Sequence, residues 1–194
     1  MSARETCSEL SMNSYFRRQL ADYVEYHRDG WNCAMHVFGI IFLFLAAVLP
    51  LSFWSVHAFG AQATAATIFV LPVLIYWLLL DAALGMGIVG AAILLLSAAA
   101  MIVNNASVAG VWSIVALLTV TGVTLQVVGH RVFERRQPAL LDNPTHLLLG
   151  PMFVMAKLFV ALGFRRDLAS IIQAAPLGSS FYVEERQGES QPHS

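Results

Sequence analysis

The stretch Tyr23-Val-Glu-Tyr-His-Arg-Asp-Gly-Trp-Asn-Cys-Ala-Met-His36 joins a polar, amphipathic segment to the first long apolar run of the chain. It carries two histidines, His27 and His36, at the predicted border between water and lipid. A third histidine, His130, follows a later apolar run and returns to the same border. Imidazoles that meet at one depth are typical ligands of a metal ion, so this stretch predicts both the fold and a candidate metal site.

The composition is that of an integral membrane protein. Of the 194 residues, 58% are hydrophobic and only 12% are charged, whereas about a quarter are charged in an ordinary soluble domain. The net charge of −1 argues against a nucleic acid as partner, because such binding needs dense Lys and Arg patches. Two cysteines, Cys7 and Cys33, are too few for a disulfide framework or a thiolate cluster, so any metal must be held by nitrogen and oxygen.

Four apolar runs predict four transmembrane helices, because each is near the ~20 residues that a span needs. Between Trp31 and His130 the only formally charged side chain is Asp81. Short separators at residues 55–62, 81–83 and 104–107 predict turns. The predicted spans are residues 33–56, 64–80, 84–103 and 109–128.

A helix at each end completes the predicted all-α fold. From Tyr15 to His27, helical spacing gathers the apolar side chains on one face, which predicts an interfacial amphipathic helix. The late apolar stretch from Leu147 to Phe164 is interrupted by Pro151 and Lys157, and it is therefore predicted to be a re-entrant or interfacial helix. The predicted domains are a disordered N-terminus at 1–12, a single membrane domain at 13–168 and a C-terminal tail at 169–194. The face of the first helix is formed by Phe16, Leu20, Tyr23, Val24 and His27.

Charge asymmetry predicts the orientation. Arginines precede the first span and follow the fourth, while the turns after spans one and three contain no Lys or Arg, so both termini are expected in the cytoplasm. This topology places four histidines in one layer at the cytoplasmic face and His57 in the opposite turn. The flanking arginines are Arg17, Arg18, Arg28, Arg131, Arg135 and Arg136, and the four histidines are His27, His36, His130 and His146.

The spacing of the polar residues gives the candidate ligands. His130 and Glu134 are four residues apart and share a helix face, although a salt bridge from Glu134 to a neighbouring arginine is an equally good interpretation. His27 and His36 are nine residues apart, so they can face one ion only if the chain bends, and Gly30, with Asp29 before it, is the predicted break. Asn32 is a candidate to orient a ligand. For each histidine alone, a hydrogen bond to a backbone carbonyl is the commoner role.

Two histidine-containing segments and a short motif after them carry a resemblance to a known family. They are Tyr26-His-Arg-Asp-Gly-Trp-Asn-Cys-Ala-Met-His-Val-Phe-Gly39, Gly129-His-Arg-Val-Phe-Glu-Arg-Arg-Gln-Pro-Ala-Leu140 and Asp142-Asn-Pro. In these segments the chain resembles the Mpo1-like family. The resemblance extends from about Tyr15 to about Arg166. It implies an Fe(II)-dependent dioxygenase of fatty acid α-oxidation, which converts a 2-hydroxy fatty acid and O2 into the acid one carbon shorter.

The resemblance implies that the catalytic metal ligands are His27, His36 and His130, while His146 and Glu134 remain candidate ligands. The side chains expected to bind the substrate carboxylate are Arg131, Arg135 and Lys157.

Two alternatives stay open: another membrane metalloenzyme that acts on lipids, and a non-enzymatic lipid-binding or scaffolding protein. Clustered HxxHH motifs of fatty acid hydroxylases and desaturases are missing from the sequence. The expected location is an integral membrane, either a bacterial inner membrane or the endoplasmic reticulum, and an oligomer is compatible with the sequence.

Overall fold

The computed structural model describes residues 14–25, 27–58, 61–134 and 146–172. For residues 58, 61, 62, 134 and 146 it describes the backbone only. The described part is almost entirely helical, as predicted. Its elements in chain order are α1 (Ser14–Glu25), α2 (Gly30–Leu51), β1 (Ser55–Ala58), β2 (Ala61–Thr64), α3 (Ala65–Leu80), α4 (Ala82–Asn105), α5 (Val108–Val128), a π-helix (Gly129–Glu134), α6 (His146–Ala161) and α7 (Arg166–Ile172). The predicted disordered residues 1–12 and most of the predicted tail at 169–194 lie outside the described residues.

Three helices are long and apolar enough to cross a membrane, namely α2, α4 and α5 with its π-helical extension. Helix α3 is apolar but has only 16 residues, which corresponds to about 24 Å against a hydrocarbon thickness of about 30 Å. The helical membrane architecture is thus confirmed with three candidate spans, and the fourth span stays a prediction. A short antiparallel hairpin, β1 and β2, replaces the predicted turn before α3.

Helix α2 packs most extensively against α5, and small residues allow the close approach. A Cβ atom added at Gly122 would lie 2.8 Å from Cγ of Leu43, and one added at Gly39 would lie 2.8 Å from Nε2 of Gln126. Small residues at helix contacts let neighbouring backbones approach in an apolar medium, where hydrophobic burial gives little drive for helix association.

The apolar face of α1 is buried as predicted. Phe16, Leu20, Tyr23 and Val24 are each at most 5% exposed. Helix α1 rests against α6 and α7, so its apolar face is covered by protein. His27 lies just beyond the end of this helix and is also buried.

The break between α1 and α2 is formed by Asp29 and not by Gly30. Asp29 has an extended backbone, and its carboxylate accepts hydrogen bonds from the N–H groups of Trp31 and Asn32 at 2.8 and 3.0 Å. An aspartate at this position satisfies donors that the first helical turn leaves unpaired. Gly30 is the first residue of α2, so the break predicted at Gly30, with Asp29 before it, falls at the start of this helix.

The segment after α5 folds back as a bent pair of helices. The apolar helix at Leu147–Ala161 and α7 meet at 119°, which is compatible with a broken span or a re-entrant segment. At the bend, Nη1 of Arg165 binds both carboxylate oxygens of Asp81 at 3.0 and 2.9 Å, and Arg165 also pairs with Asp167. Asp81 is 6% exposed and caps α4 through the N–H of Leu84. The single charge predicted among the spans therefore anchors the bend.

The orientation that the charge asymmetry predicts can be tested by labelling from the two sides of the membrane. In a Cys7→Ser background, Ser55→Cys in the hairpin and Ala106→Cys after α4 should react with an impermeant maleimide from outside intact cells, whereas Arg17→Cys should react only after lysis. The reason is that Lys and Arg are retained on the cytoplasmic side. Labelling of Ser55→Cys and Ala106→Cys from opposite sides would contradict an even number of spans up to α5.

The Asp81–Arg165 pair should contribute strongly to stability. Arg165→Gln leaves a buried carboxylate without its cation and should destabilise the fold by about 3 kcal/mol, seen as a lower Tm of the protein in detergent. Arg166 is exposed, so Arg166→Gln is the matched control and should change stability by no more than about 0.5 kcal/mol. Equal Tm values for the two variants would show that the buried pair is not important.

Candidate metal centre

Three histidines from separate segments converge beside the start of α2. His27 lies in the link between α1 and α2, His36 lies in α2, and His130 lies in the π-helix after α5. Their exposed fractions are 2%, 9% and 2%, respectively. These are the three histidines predicted to be the catalytic ligands, and the fold brings them together across about 100 residues of sequence.

The three imidazoles are in mutual contact. The ring centroids of His27 and His36 are 4.5 Å apart, those of His27 and His130 are 4.9 Å apart, and those of His36 and His130 are 5.3 Å apart. The interplanar angles of 69° to 89° are near-perpendicular, so the rings are not stacked on one another. One nitrogen from each ring lies within 4.8 Å of the other two, which forms a three-nitrogen cluster.

His27 is held in one tautomer by the end of α1. Its Nδ1 lies 3.0 Å from the carbonyl oxygen of Tyr23, and because a carbonyl can only accept, Nδ1 carries the proton. The ring also stacks on that of Tyr23, with centroids 4.1 Å apart and planes within 4°. The neutral imidazole therefore has its lone pair on Nε2, as a ligating histidine requires.

Tyr23 also contacts the second histidine. Its hydroxyl lies 2.9 Å from Nε2 of His36. Burial raises the pKa of Tyr23 well above the usual range for a phenol, so the hydroxyl stays protonated. Tyr23 thus fixes the orientation of two of the three imidazoles, one through its backbone and one through its side chain.

The third histidine depends on a local change in helix geometry. α5 continues into the π-helix at Gly129, and π-helical turns are frequent at functional sites. A Cβ atom at Gly129 would overlap Oδ1 of Asn32, which is fully buried. The absence of a side chain at Gly129 therefore lets α2 and the π-helix approach each other, and this contact places His130 next to His36.

The cluster fits a metal ion in its donor set. Nδ1 of His36 is buried and has no hydrogen-bond partner among the described residues, and an ion would supply one. A metal ion about 2.1 Å from each nitrogen requires nitrogens about 3 to 3.5 Å apart, so the rings would move closer together than the present limit of 4.8 Å when an ion binds. Imidazole suits iron, zinc, copper and nickel, and three protein ligands leave open positions for other molecules.

An apolar cavity of about 480 Å³ adjoins the three histidines. Its volume is in the range of small-molecule sites, and its walls are mostly aliphatic and aromatic. Tyr23, His27, His36 and His130 line it as polar groups. Among the apolar lining residues are Ile40, Leu43 and Phe44 of α2, Trp77 of α3, Val123 and Val127 of α5, and Leu147, Leu148 and Pro151 of α6.

Lys157 has its own partners away from this cavity lining. Its Nζ lies 2.8 Å from Sγ of Cys33 and 4.9 Å from the ring centroid of Phe153. Sγ of Cys33 in turn lies 3.4 Å from the carbonyl oxygen of His27. The lysine is therefore accommodated in an apolar helix by a contact between α6 and α2, and its role in binding a carboxylate stays a prediction.

Of the remaining predicted site residues, the structure describes the side chains of two. Arg131 is exposed on the π-helix, and Asn32 is buried beside it. The side chains of Glu134 and His146, and the whole of Arg135, lie outside the described part of the chain, so their roles stay predictions.

The sequence reasoning missed two residues of the site. The helical periodicity places Tyr23 only on the buried face of α1, although an aromatic hydroxyl four residues before His27 indicates a group able to orient an imidazole. The sequence prediction contains no role for Gln126, although it is an amide inside an apolar span and lies four residues before His130, on the same helix face.

Comparison with known proteins identifies the family of the chain. The model of the family described as "Mpo1-like: 2-hydroxy-palmitic acid dioxygenase Mpo1-like" matches residues 13–162. The chain belongs to the Mpo1-like family. It is 31% identical over 160 residues to a Saccharomyces cerevisiae protein named 2-hydroxy-palmitic acid dioxygenase MPO1. The aligned residues cover 81% of this chain and 87% of that protein. No solved structure matches.

Metal content is the direct test of the cluster. We expect His27→Ala, His36→Ala and His130→Ala each to lose bound metal, measured by mass spectrometry of protein purified anaerobically with ferrous iron supplied. His57→Ala changes an exposed histidine of the hairpin and should retain the metal, which makes it the matched control. Tyr23→Phe removes the hydroxyl that orients His36 and should weaken metal affinity by about 10- to 100-fold. Equal metal content in His57→Ala and the other histidine variants would contradict the site.

Proposed function

We propose that this protein is an Fe(II)-dependent dioxygenase of fatty acid α-oxidation, which cleaves 2-hydroxy fatty acids with O2 to the acid one carbon shorter. The observation that carries the proposal is the meeting of three buried imidazoles at the wall of an apolar cavity. Membership of the Mpo1-like family and the name of the yeast relative support the same chemistry.

The overall reaction balances without a further reductant. A 2-hydroxy acid, RCH(OH)COOH, and O2 give RCOOH, CO2 and H2O, so the C1–C2 bond breaks and C2 becomes the new carboxyl carbon. The acid loses four electrons, and O2 accepts them. When bound, Fe(II) would supply the electron transfer to O2 that the closed-shell side chains of the site cannot provide, whereas zinc would not because it has no redox chemistry.

The residues of the chain would act by binding and orienting. His27, His36 and His130 would hold the iron, with Tyr23 fixing the rings of the first two. Glu134 and His146 are proposed as further ligands, and Asn32 as a residue that orients the site.

The cavity would take the acyl chain. Its aliphatic lining would exclude water from the reacting carbons, which suits a substrate that is itself dissolved in lipid. Arg131 in the π-helix, and Arg135 four residues later in the sequence, are proposed to attract the substrate carboxylate. The exposed apolar surfaces of the spans would face the bilayer, from which the substrate could enter directly.

The charge pattern supports a location of this site at the cytoplasmic side of the membrane, with both termini in the cytoplasm. A bacterial inner membrane is the proposed location, with the endoplasmic reticulum as the alternative. The proposed function involves no nucleic acid, and it is compatible with an oligomer.

Product analysis tests the reaction. Iron-loaded protein given 2-hydroxypalmitate and O2 should form pentadecanoic acid, and ¹⁸O2 should label the product carboxyl group. His36→Ala and His130→Ala should lower the rate at least about 100-fold, because each removes a proposed ligand, whereas His57→Ala should keep the wild-type rate. Wild-type protein that binds iron but forms no odd-chain acid would contradict α-oxidation and favour another lipid-modifying metalloenzyme. Wild-type protein that binds no metal would favour a non-enzymatic lipid-binding role.

A further inference from the structure

Gln126 is a polar group that the proposed metal ligation does not use. It lies in α5 and lines the cavity, one helical turn before His130 and therefore on the same helix face. Among the described lining residues it is the one carboxamide side chain. A polar side chain within an apolar membrane helix is costly, and such residues commonly face a cavity and serve a function.

The space for this amide is provided by the facing helix. A Cβ atom at Gly39 of α2 would lie only 2.8 Å from Nε2 of Gln126 and 3.2 Å from its Cδ. The missing side chain at Gly39 thus allows the amide to lie against α2 at the depth of the histidines. Any larger residue at position 39 would displace it.

The two ends of the amide have different surroundings. Nε2 of Gln126 donates to the backbone carbonyl of His36 at 3.5 Å, which is long for such a bond. Its Oε1 has no hydrogen-bond partner within the described part of the chain. The contact with His36 uses one of the two N–H donors of Nε2. The second N–H and the acceptor Oε1 are available to a ligand, beside the imidazoles and on the cavity wall.

We propose that Gln126 is a positioning residue that accepts a hydrogen bond from the hydroxyl group on C2 of the substrate, and so selects 2-hydroxy acids over unsubstituted acids. This inference rests on the proposed function. A carboxylate has no proton to donate to Oε1, whereas the 2-hydroxyl group has one, so the amide oxygen distinguishes the two polar groups of the substrate head. A site that pairs a substrate hydroxyl discriminates against the analogue that lacks it, because its own polar group is then left unpaired.

The competing explanation is a purely structural role, in which the bond to His36 joins α2 and α5. Hydrogen bonds of this kind do connect membrane helices. The two roles differ in what they affect: a structural bond acts equally on every ligand of the cavity, whereas a bond to the 2-hydroxyl group acts only on ligands that carry it.

The test compares the binding of two ligands to iron-loaded protein under nitrogen, without turnover. For wild type and Gln126→Leu, the Kd values of 2-hydroxypalmitate and palmitate are measured by displacement of a fluorescent fatty acid. We expect Gln126→Leu to reduce the preference for 2-hydroxypalmitate about fivefold, with the Kd of palmitate unchanged. Thr119→Val is the matched control, since Thr119 is an exposed residue of the same helix whose hydroxyl bonds to its own helix at Val115; it should keep the wild-type preference.

A second variant keeps the amide and moves it. Gly39→Ala should displace Gln126 and reduce the same preference, which keeps the test informative if Gln126→Leu does not fold. An unchanged preference in both variants, or a parallel loss of affinity for both ligands, would overturn the inference. Because the measurement is of binding, it is separate from the reaction: wild-type protein that forms no pentadecanoic acid refutes the proposed function, whereas active protein with an unchanged preference in the variants refutes only the role of Gln126.

Discussion

The nitrogens of a buried imidazole must be satisfied by the protein or by a bound ion, and three such rings are buried together in this molecule. Tyr23 supplies a partner for one nitrogen of each of two rings. Its backbone carbonyl pairs with Nδ1 of His27, and its hydroxyl pairs with Nε2 of His36. The protein leaves Nδ1 of His36 without a partner among the described residues. α1 with the link that follows it, α2 and the π-helix each contribute one ring or its support to the cluster.

The same constraint explains the break between α1 and α2. In one unbroken helix His27 and His36 would point in opposite directions, at about 100° per residue. Asp29 prevents one continuous helix, because its backbone is extended and its carboxylate caps the start of α2. The link folds His27 back beside α2, and the stacking on Tyr23 holds it there.

The sequence was sufficient where one-dimensional patterns carry the information. Helical periodicity identified the buried face of α1, hydropathy identified the long apolar helices, and the histidine motifs identified the three rings that meet. It was insufficient where a contact depends on the relative position of two helices. The close approach of Asn32 to Gly129 depends on how α2 lies against the π-helix, and the room for Gln126 depends on Gly39; neither leaves a periodic signal. The flexibility of glycine predicts a break near Gly30, whereas the capping carboxylate of Asp29 decides where α2 begins.

Polar contacts also determine where α6 lies, and α6 forms one wall of the cavity. Apolar contacts alone discriminate poorly in a bilayer, since lipid chains offer a helix a comparable surface. The indole nitrogen of Trp77 donates to the carbonyl oxygen of Leu148 at 2.7 Å, and Lys157 joins α6 to Cys33 of α2 at 2.8 Å. Beyond the end of α6, Arg165 is anchored on Asp81. These three contacts fix α6 at its start, middle and end. The shape of the apolar cavity thus depends on a few polar contacts, one made by Trp77 in its wall and two made by Lys157 and Arg165 outside its lining.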